Sequence, residues 1–373
     1  DPVVRVWDPG TGGQLDELDT GHPHGVDSVR ISPDGAWLVT TGTTDPGGDR
    51  HARDPVIRIW APVAADRSDR FDAGHPHGVG TVHVPPDGAW VATTGHLGRD
   101  PAVRVWDAVT GAQRCRLETS HRHGVGGVRV SPDGGWLATV GAPGDPVVRI
   151  WDPAAGTQRH RFDAGHPHGV REVYVSPDGD WLATAGFPDD PVVRIWDPVV
   201  GRQRHRIDTG HAAGVGGAYV SPDGAWLATT GPPGRDPVVR VWDAATGGKR
   251  CELDTGHAGR TRGVFPSPDG AWLATTGLDG DSVVRIWDTT TGRQLYQLDI
   301  GQPGGVRRVH ISRDGRVLVA HGSALVVFGL VDSGRLAVIR SDGDIRSSAL
   351  MEPGPVLVLG TSRGLYALRL IAD

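Results

Sequence analysis

The sequence is short of residues on which most folds lean. Its 373 residues include two cysteines, one methionine, a single lysine (Lys249), no asparagine and five glutamates, Glu17, Glu118, Glu172, Glu252 and Glu352. Two cysteines cannot build a disulfide scaffold. No apolar run approaches the roughly 18 residues of a membrane-crossing helix, and no secretory signal pattern is visible. With so little Glu and Lys, long surface helices lose their usual material. The bases are almost all arginine, scattered rather than in runs, and the net charge is -6, which gives nucleic-acid binding little support. Arg over Lys and Asp over Glu reads first as a GC-rich, bacterial coding sequence.

Turn formers and indoles are plentiful instead. There are 56 glycines and 29 prolines, with no three-residue period, so collagen is excluded. Disorder is excluded too, because 38% of the residues are hydrophobic and 13 are tryptophan, large side chains that need a core. Gly, Pro and Asp together are the chemistry of turns.

The spacing explains the composition. Trp7, Trp60, Trp106, Trp151, Trp196, Trp242 and Trp287 follow one another at intervals of 53, 46, 45, 45, 46 and 45 residues. His22, His75, His121, His166, His211 and His257 keep the same step, and an SPDG-type turn stands between the two landmarks, as at 131–134 and 176–179. A period of this length outranks any local propensity. Within 165–208, VREVYVS (170–176), WLATAG (181–186), VVRIW (192–196) and QRHRID (203–208) read as four short strands separated by turns. The last is the most polar, as suits a partly wet outer strand. Four antiparallel strands per unit of this length make one propeller blade, and a lone blade cannot bury both faces.

Paired GH (21–22, 74–75, 165–166, 210–211, 256–257) and WD (106–107, 151–152, 196–197, 242–243, 287–288) landmarks give the chain its resemblance to the WD40-repeat β-propeller family. Six units match well, and 306–340 and 345–370 carry the rhythm with weak landmarks. The resemblance implies an all-β propeller occupying 1–373 as a single domain. Eight blades are preferred, with 1–19 closing the ring against 345–373, and seven is the alternative.

The resemblance also assigns a buried hydrogen-bond chain in each blade: Asp145, His121, Thr139 and Trp151; Asp190, His166, Thr184 and Trp196; Asp236, His211, Thr229 and Trp242. Carboxylate, imidazole, hydroxyl and indole can satisfy one another in series, as buried polar groups require. A Ser/Thr–His–Asp set invites a catalytic reading, but catalysis needs one site, and this set recurs blade after blade. No G-x-S-x-G elbow, P-loop or metal-spaced cluster appears, so no catalytic residue, cofactor or metal is assigned.

Recognition is expected at the loops. Four loops leading into first strands carry a second histidine, His24, His77, His123 and His168. With Arg260, Arg307 and the Asp49, Arg50 and His51 of the long 43–54 insertion, they form the candidate partner-binding rim. Arg30, Arg129, Arg262 and Arg308 lie in or beside first strands with Arg260 and Arg307, a basic channel mouth suited to an anion or an acidic peptide. Glycines 80, 126, 127, 216 and 217 are read as relief of crowding around the axis. Cys115 and Cys251 hold equivalent places three blades apart, too far for a disulfide, so they are expected to be reduced and the protein cytoplasmic.

The expected function is non-catalytic protein or peptide recognition, as the sensing or docking region of a larger signalling or effector protein. The sequence starts at Asp1 inside a repeat and without Met, which adds the expectation of an effector domain upstream in the same chain. No nucleic-acid or membrane partner is expected. Two rival readings are a lyase- or hydrolase-type propeller enzyme with its site at the channel mouth, and a purely structural scaffold.

Overall fold

Every regular element among the described residues is a strand. The computed structural model describes residues 2–8, 11, 13–43, 54, 56–60, 68–96, 100–232, 236–257, 261–278, 280–301, 305–322, 324–330, 334–339, 345–351, 356–361 and 364–369. Seven four-stranded sheets cover 26–72, 79–118, 125–163, 170–208, 217–254, 261–299 and 308–339, with strands in sequence order, and are called here the first to the seventh sheet. A two-stranded ladder pairs Val3–Trp7 with Gln14–Asp19, and Ile345–Met351, Val356–Thr361 and Gly364–Arg369 form a three-stranded sheet.

The SPDG turn shows how the sequence commits itself to this pattern. In the third sheet, Ser131 Oγ donates to Asp133 Oδ1 at 2.6 Å, which also accepts from Gly135 N, while Trp136 N donates to Ser131 Oγ at 2.9 Å. Gly134 closes the turn at φ 68°, a conformation that suits glycine. The same contacts recur around Ser32 and Asp34, Ser176 and Asp178, and Ser267 and Asp269. The strand that follows is buried along its length, as at Leu38–Gly42 and Leu182–Gly186. A strand covered on both faces loses the alternation of apolar and polar residues, hence its WLATTG-like composition.

The chain forms two compact units, one of 1–7 and 14–206 and one of 8–13 and 207–373. In the first, apolar layers join consecutive sheets. Trp37, Val39 and Ile57 meet Val82, Val91 and Trp106; Trp90, Val105 and Leu117 meet Val128, Leu137 and Trp151. Trp136, Ile150 and Phe162 meet Val173, Leu182 and Trp196, with the Phe162 and Trp196 rings stacked at 4.2 Å. The second unit repeats the device: Val241 and Leu253 meet Val264 and Trp287, Ile286 and Leu298 meet Val309 and Phe328, and Leu325 and Val327 meet Leu357 and Leu359. Each such large side chain contributes about 1.5–3 kcal/mol when fully buried.

The first strands of the second and third sheets begin on a bulge. Pairing slips between Val79 and Thr81 and between Val125 and Gly127, leaving Gly80 and Gly126 as the extra residues. A Cβ on either would stand 2.2 Å from a carbonyl oxygen, that of Gly95 or Gly141. The crowding expected at these glycines therefore comes from the adjoining strand of their own sheet. Gly127, one residue on, would bring a Cβ no closer than 3.2 Å to the movable Val140 Cγ2. Gly126→Ala should lower stability by about 1–3 kcal/mol, the usual cost of overpacking, and Gly127→Ala by less. Thermal melts of the two variants beside the parent check the ranking.

Candidate functional site

Each of the first six sheets carries the same buried chain of four side chains. The third strand supplies the indole, the second the hydroxyl, the loop before the first the imidazole, and the segment before the third the carboxylate. Trp Nε1–H donates to Thr Oγ1 at 3.0–3.2 Å in the pairs Trp60–Thr40, Trp106–Thr93, Trp151–Thr139, Trp196–Thr184, Trp242–Thr229 and Trp287–Thr275. Thr Oγ1 lies 2.9–3.1 Å from His Nε2 in all six, with His22, His75, His121, His166, His211 and His257. His Nδ1 is 2.6–2.7 Å from the Oδ2 of Asp54, Asp100, Asp145, Asp190, Asp236 and Asp281. The other carboxylate oxygen accepts a backbone N–H two residues on, as from Val147 and Val192.

One proton arrangement satisfies every atom. The indole can only donate, so the hydroxyl accepts from it and donates to Nε2; the imidazole is then neutral with its proton on Nδ1, directed at the carboxylate. The Thr139, Thr184 and Thr229 sets assigned from the sequence are all placed this way. Because hydroxyl and imidazole are already engaged and buried, the set holds strands rather than attacking a substrate.

The sequence pattern alone does not reveal a fifth member, the arginine two residues before each indole. Arg149 Nη1 lies 2.8 Å from His121 Nδ1 and 3.4 Å from Nε2, and Nη2 donates to Ser120 O. One guanidinium nitrogen thus lies beside the imidazole while the other holds the backbone before it, a two-point contact that lysine, with a single nitrogen, does not reproduce. Arg58, Arg104, Arg194, Arg240 and Arg285 also reach their histidines. The signal is present in the repeated R-x-W, but strand alternation presents that arginine as a solvent-facing residue.

Burial pushes the imidazoles of His75, His121, His166, His211 and His257 below the ordinary value; the aspartate bond opposes this and the nearby guanidinium reinforces it. For Asp54, Asp100 and Asp236 burial acts upward, but the histidine bond, a backbone N–H and the arginine outweigh it and hold the carboxyls below 3.8. A second ion pair closes the outer hairpin, where Asp107, Asp152, Asp197 and Asp243 meet Arg114, Arg159, Arg204 and Arg250 at 2.6–2.7 Å. Backbone and side-chain bonds from Thr110 and Arg114 bring Asp107 down to about 2.

Of the candidate rim, His24, His123 and His168 are exposed, His77 is half-buried, and Arg307 is exposed. Their loops are tied by backbone bonds: Thr43 N donates to Gly25 O, Ala142 N to Gly124 O, and Gly144 N to His168 O at 3.0 Å. The histidine side chains are not gathered into a ligand set, since among the described residues no three His, Cys, Asp or Glu are grouped to hold a metal ion. Arg260, Asp49, Arg50 and His51 lie outside the described residues, as does the rest of 44–53. Cys115 and Cys251 are free thiols. Their Sγ atoms donate to Pro153 O and Thr289 O in the following sheets, and burial with a nearby carboxylate raises both, Cys251 to about 11.

The seventh sheet departs from the pattern. Ala320 and Phe328 stand where the earlier sheets have Thr and Trp, and buried Ser348 bridges His310 Nε2 at 2.7 Å and His321 Nδ1 at 3.3 Å. His321 Nε2 has no partner among the described residues. Two imidazoles on one hydroxyl, with no carboxylate bonded to either among the described residues, form a packing contact between strands.

The family model of the WD domain, G-beta repeat, matches residues 14–60, 69–107, 113–152, 156–197, 202–243 and 249–288, and the chain belongs to the WD40-repeat family. Such repeats typically form a scaffold that binds proteins or peptides and is not itself catalytic. A crystal structure of the computationally designed Ika8 protein is similar, with a TM-score of 0.64 at 18% identity over 94% of this chain and 98% of that one. At that identity the likeness is one of fold. No curated protein sequence matches the chain. Among the described residues no helix is long and apolar enough to cross a membrane.

Thr184→Val strands both the Trp196 N–H and His166 Nε2, and should cost about 1–3 kcal/mol for each group left unpaired, while Thr184→Ser should stay near the parent. Chemical denaturation of the two variants separates these outcomes. Because the five depressed imidazoles are neutral in the fold, their stabilisation is complete above the unfolded value of 6.5 and is lost as pH falls toward the lower folded values. The melting temperature should therefore fall between pH 7.5 and pH 5, with a further loss below about pH 4 as the paired aspartates take up protons.

Proposed function

We propose that this chain is a recognition platform for a protein or peptide, serving as the sensing or docking region of a larger signalling or effector protein in the cytoplasm. The proposal includes an eight-bladed propeller in which 1–19 completes the blade of 345–373. One observation carries the functional reading. In six sheets the buried indole, hydroxyl and imidazole of the repeat are consumed by one hydrogen-bond chain, while the loops beside it hold exposed imidazoles on backbone fixed by hydrogen bonds. Rigid loops with exposed, hydrogen-bond-capable side chains meet a partner with little ordering cost. The proposed contacts are His24, His77, His123 and His168 in the first unit and Arg307 in the second, and the proposal also includes Arg260, Asp49, Arg50 and His51.

A random peptide library selected on the immobilised chain should yield binders that also bind in solution. Replacing His24, His123 and His168 together by Ala should weaken them about tenfold or more, roughly 1.4 kcal/mol, with the melting temperature unchanged. A library that yields no binder overturns the recognition reading; binders indifferent to the substitutions move the contact away from this rim.

A further inference from the structure

The first unit carries a second surface built from side chains that the repeat does not need. Arg30, His83, Arg129 and Tyr174 occupy equivalent positions on the first strands of the first four sheets, one residue beyond the apolar Val29, Val82, Val128 and Val173. The valines point back into the apolar layers, as Val82 and Val128 do. Alternation along a strand then turns the next residue toward the following sheet. Arg129 accordingly meets Glu172 of the fourth sheet, where a guanidinium nitrogen and a carboxylate oxygen are in direct contact.

Two cavities open along this row. One is lined by Thr81, His83, Thr94, His96 and Arg129, the other by Arg129, Arg171 and Glu172. Both have glycines 126 and 127 in their walls, so backbone is accessible there. In the first, Thr81 Oγ1 stands 3.0 Å from His83 Nε2 and 2.8 Å from Thr94 Oγ1, a short line of hydroxyl and imidazole donors. Burial and the positive fields of Arg129 and Arg30 bring His83 down to about 4, so at neutral pH the ring is uncharged and the cationic character belongs to the arginines. In a molecule of net charge -6, Arg129 and Arg171 at the cavities, with exposed Arg30 at the equivalent place on the first sheet, are a local concentration of positive charge that attracts anions.

We propose that the row of Arg30, His83 and Arg129 receives the carboxylate side chains of an acidic peptide. Glu172 already shows what the row accepts, because its carboxylate occupies the Arg129 guanidinium from within the chain. The cations are distributed one to a sheet, with an uncharged donor between them, which suits carboxylates spaced along an extended chain better than one compact oxyanion. An arriving carboxylate displaces Glu172 from Arg129, so Glu172 acts as an internal competitor. This assignment rests on the recognition reading above and names the chemistry of the partner.

The test uses the full chain and a fluorescently labelled hexa-aspartate peptide, read by anisotropy at low and physiological salt, with inorganic phosphate as competitor. Arg129→Glu and Arg30→Glu should each weaken the peptide about tenfold, equivalent to about 1.4 kcal/mol. Glu172→Gln should tighten it several-fold, a gain that a merely structural residue would not give. Binding should weaken with salt, since the row is partly exposed. Unchanged affinity in both Arg129→Glu and Glu172→Gln overturns the assignment. Displacement by phosphate as effective as by unlabelled peptide, with the same variant pattern, overturns it in favour of a simple oxyanion site. If a random library yields neutral or basic peptides while hexa-aspartate is ignored, the recognition reading stands and the acidic partner falls; if nothing binds, both fall.

Discussion

A single hydroxyl, shared between an indole N–H and an imidazole nitrogen, is the constraint on which the rest depends. Thr139 accepts from Trp151 and donates to His121, and each of those groups is buried where water cannot replace the missing bond. The second strand, the third strand and the loop before the first are therefore placed by one atom. The aspartate then fixes the tautomer that lets the hydroxyl donate, and its second oxygen pins the start of the third strand. Removing one member leaves several donors or acceptors without partners, which is why local changes have consequences across a whole sheet.

Much of this is legible in the sequence, because the period aligns His121 with Thr139, Asp145 and Trp151 and then repeats the alignment. Resemblance to a known family gives the order of the chain, and chemistry explains why four such groups belong together. The arginine is not legible. In VVRIW it alternates with apolar neighbours, as a solvent-facing residue does, yet Arg58, Arg104 and Arg149 are buried against the imidazole. A pattern of period two records which side of a strand a residue leaves from, and says nothing of a long side chain folding back over a neighbouring loop.

The candidate surfaces are legible to different degrees. The second histidines of the loops stand out as extra copies beyond the buried set, and their exposure follows from that surplus. The pairing of Arg129 with Glu172 is out of reach, since the two are 43 residues apart on different sheets. The same holds for His310 and His321 around Ser348, in strands where the usual landmarks have faded. Contacts between sheets depend on how the layers pack, and composition does not encode that offset.

The near identity of the buried second strands has one more effect. WLATTG stands at both 226–231 and 272–277, and close variants fill the same place in the other sheets. Any of these strands presents almost the same edge to any first or third strand, in its own chain or in another molecule. Correct pairing is thus decided by proximity: the Ser–Asp turn holds adjacent strands at an effective concentration on the order of millimolar, far above that of a second chain. A repetitive molecule of this kind owes its single connectivity to its turns, and lengthening one of them would open the way to exchange of strands between copies.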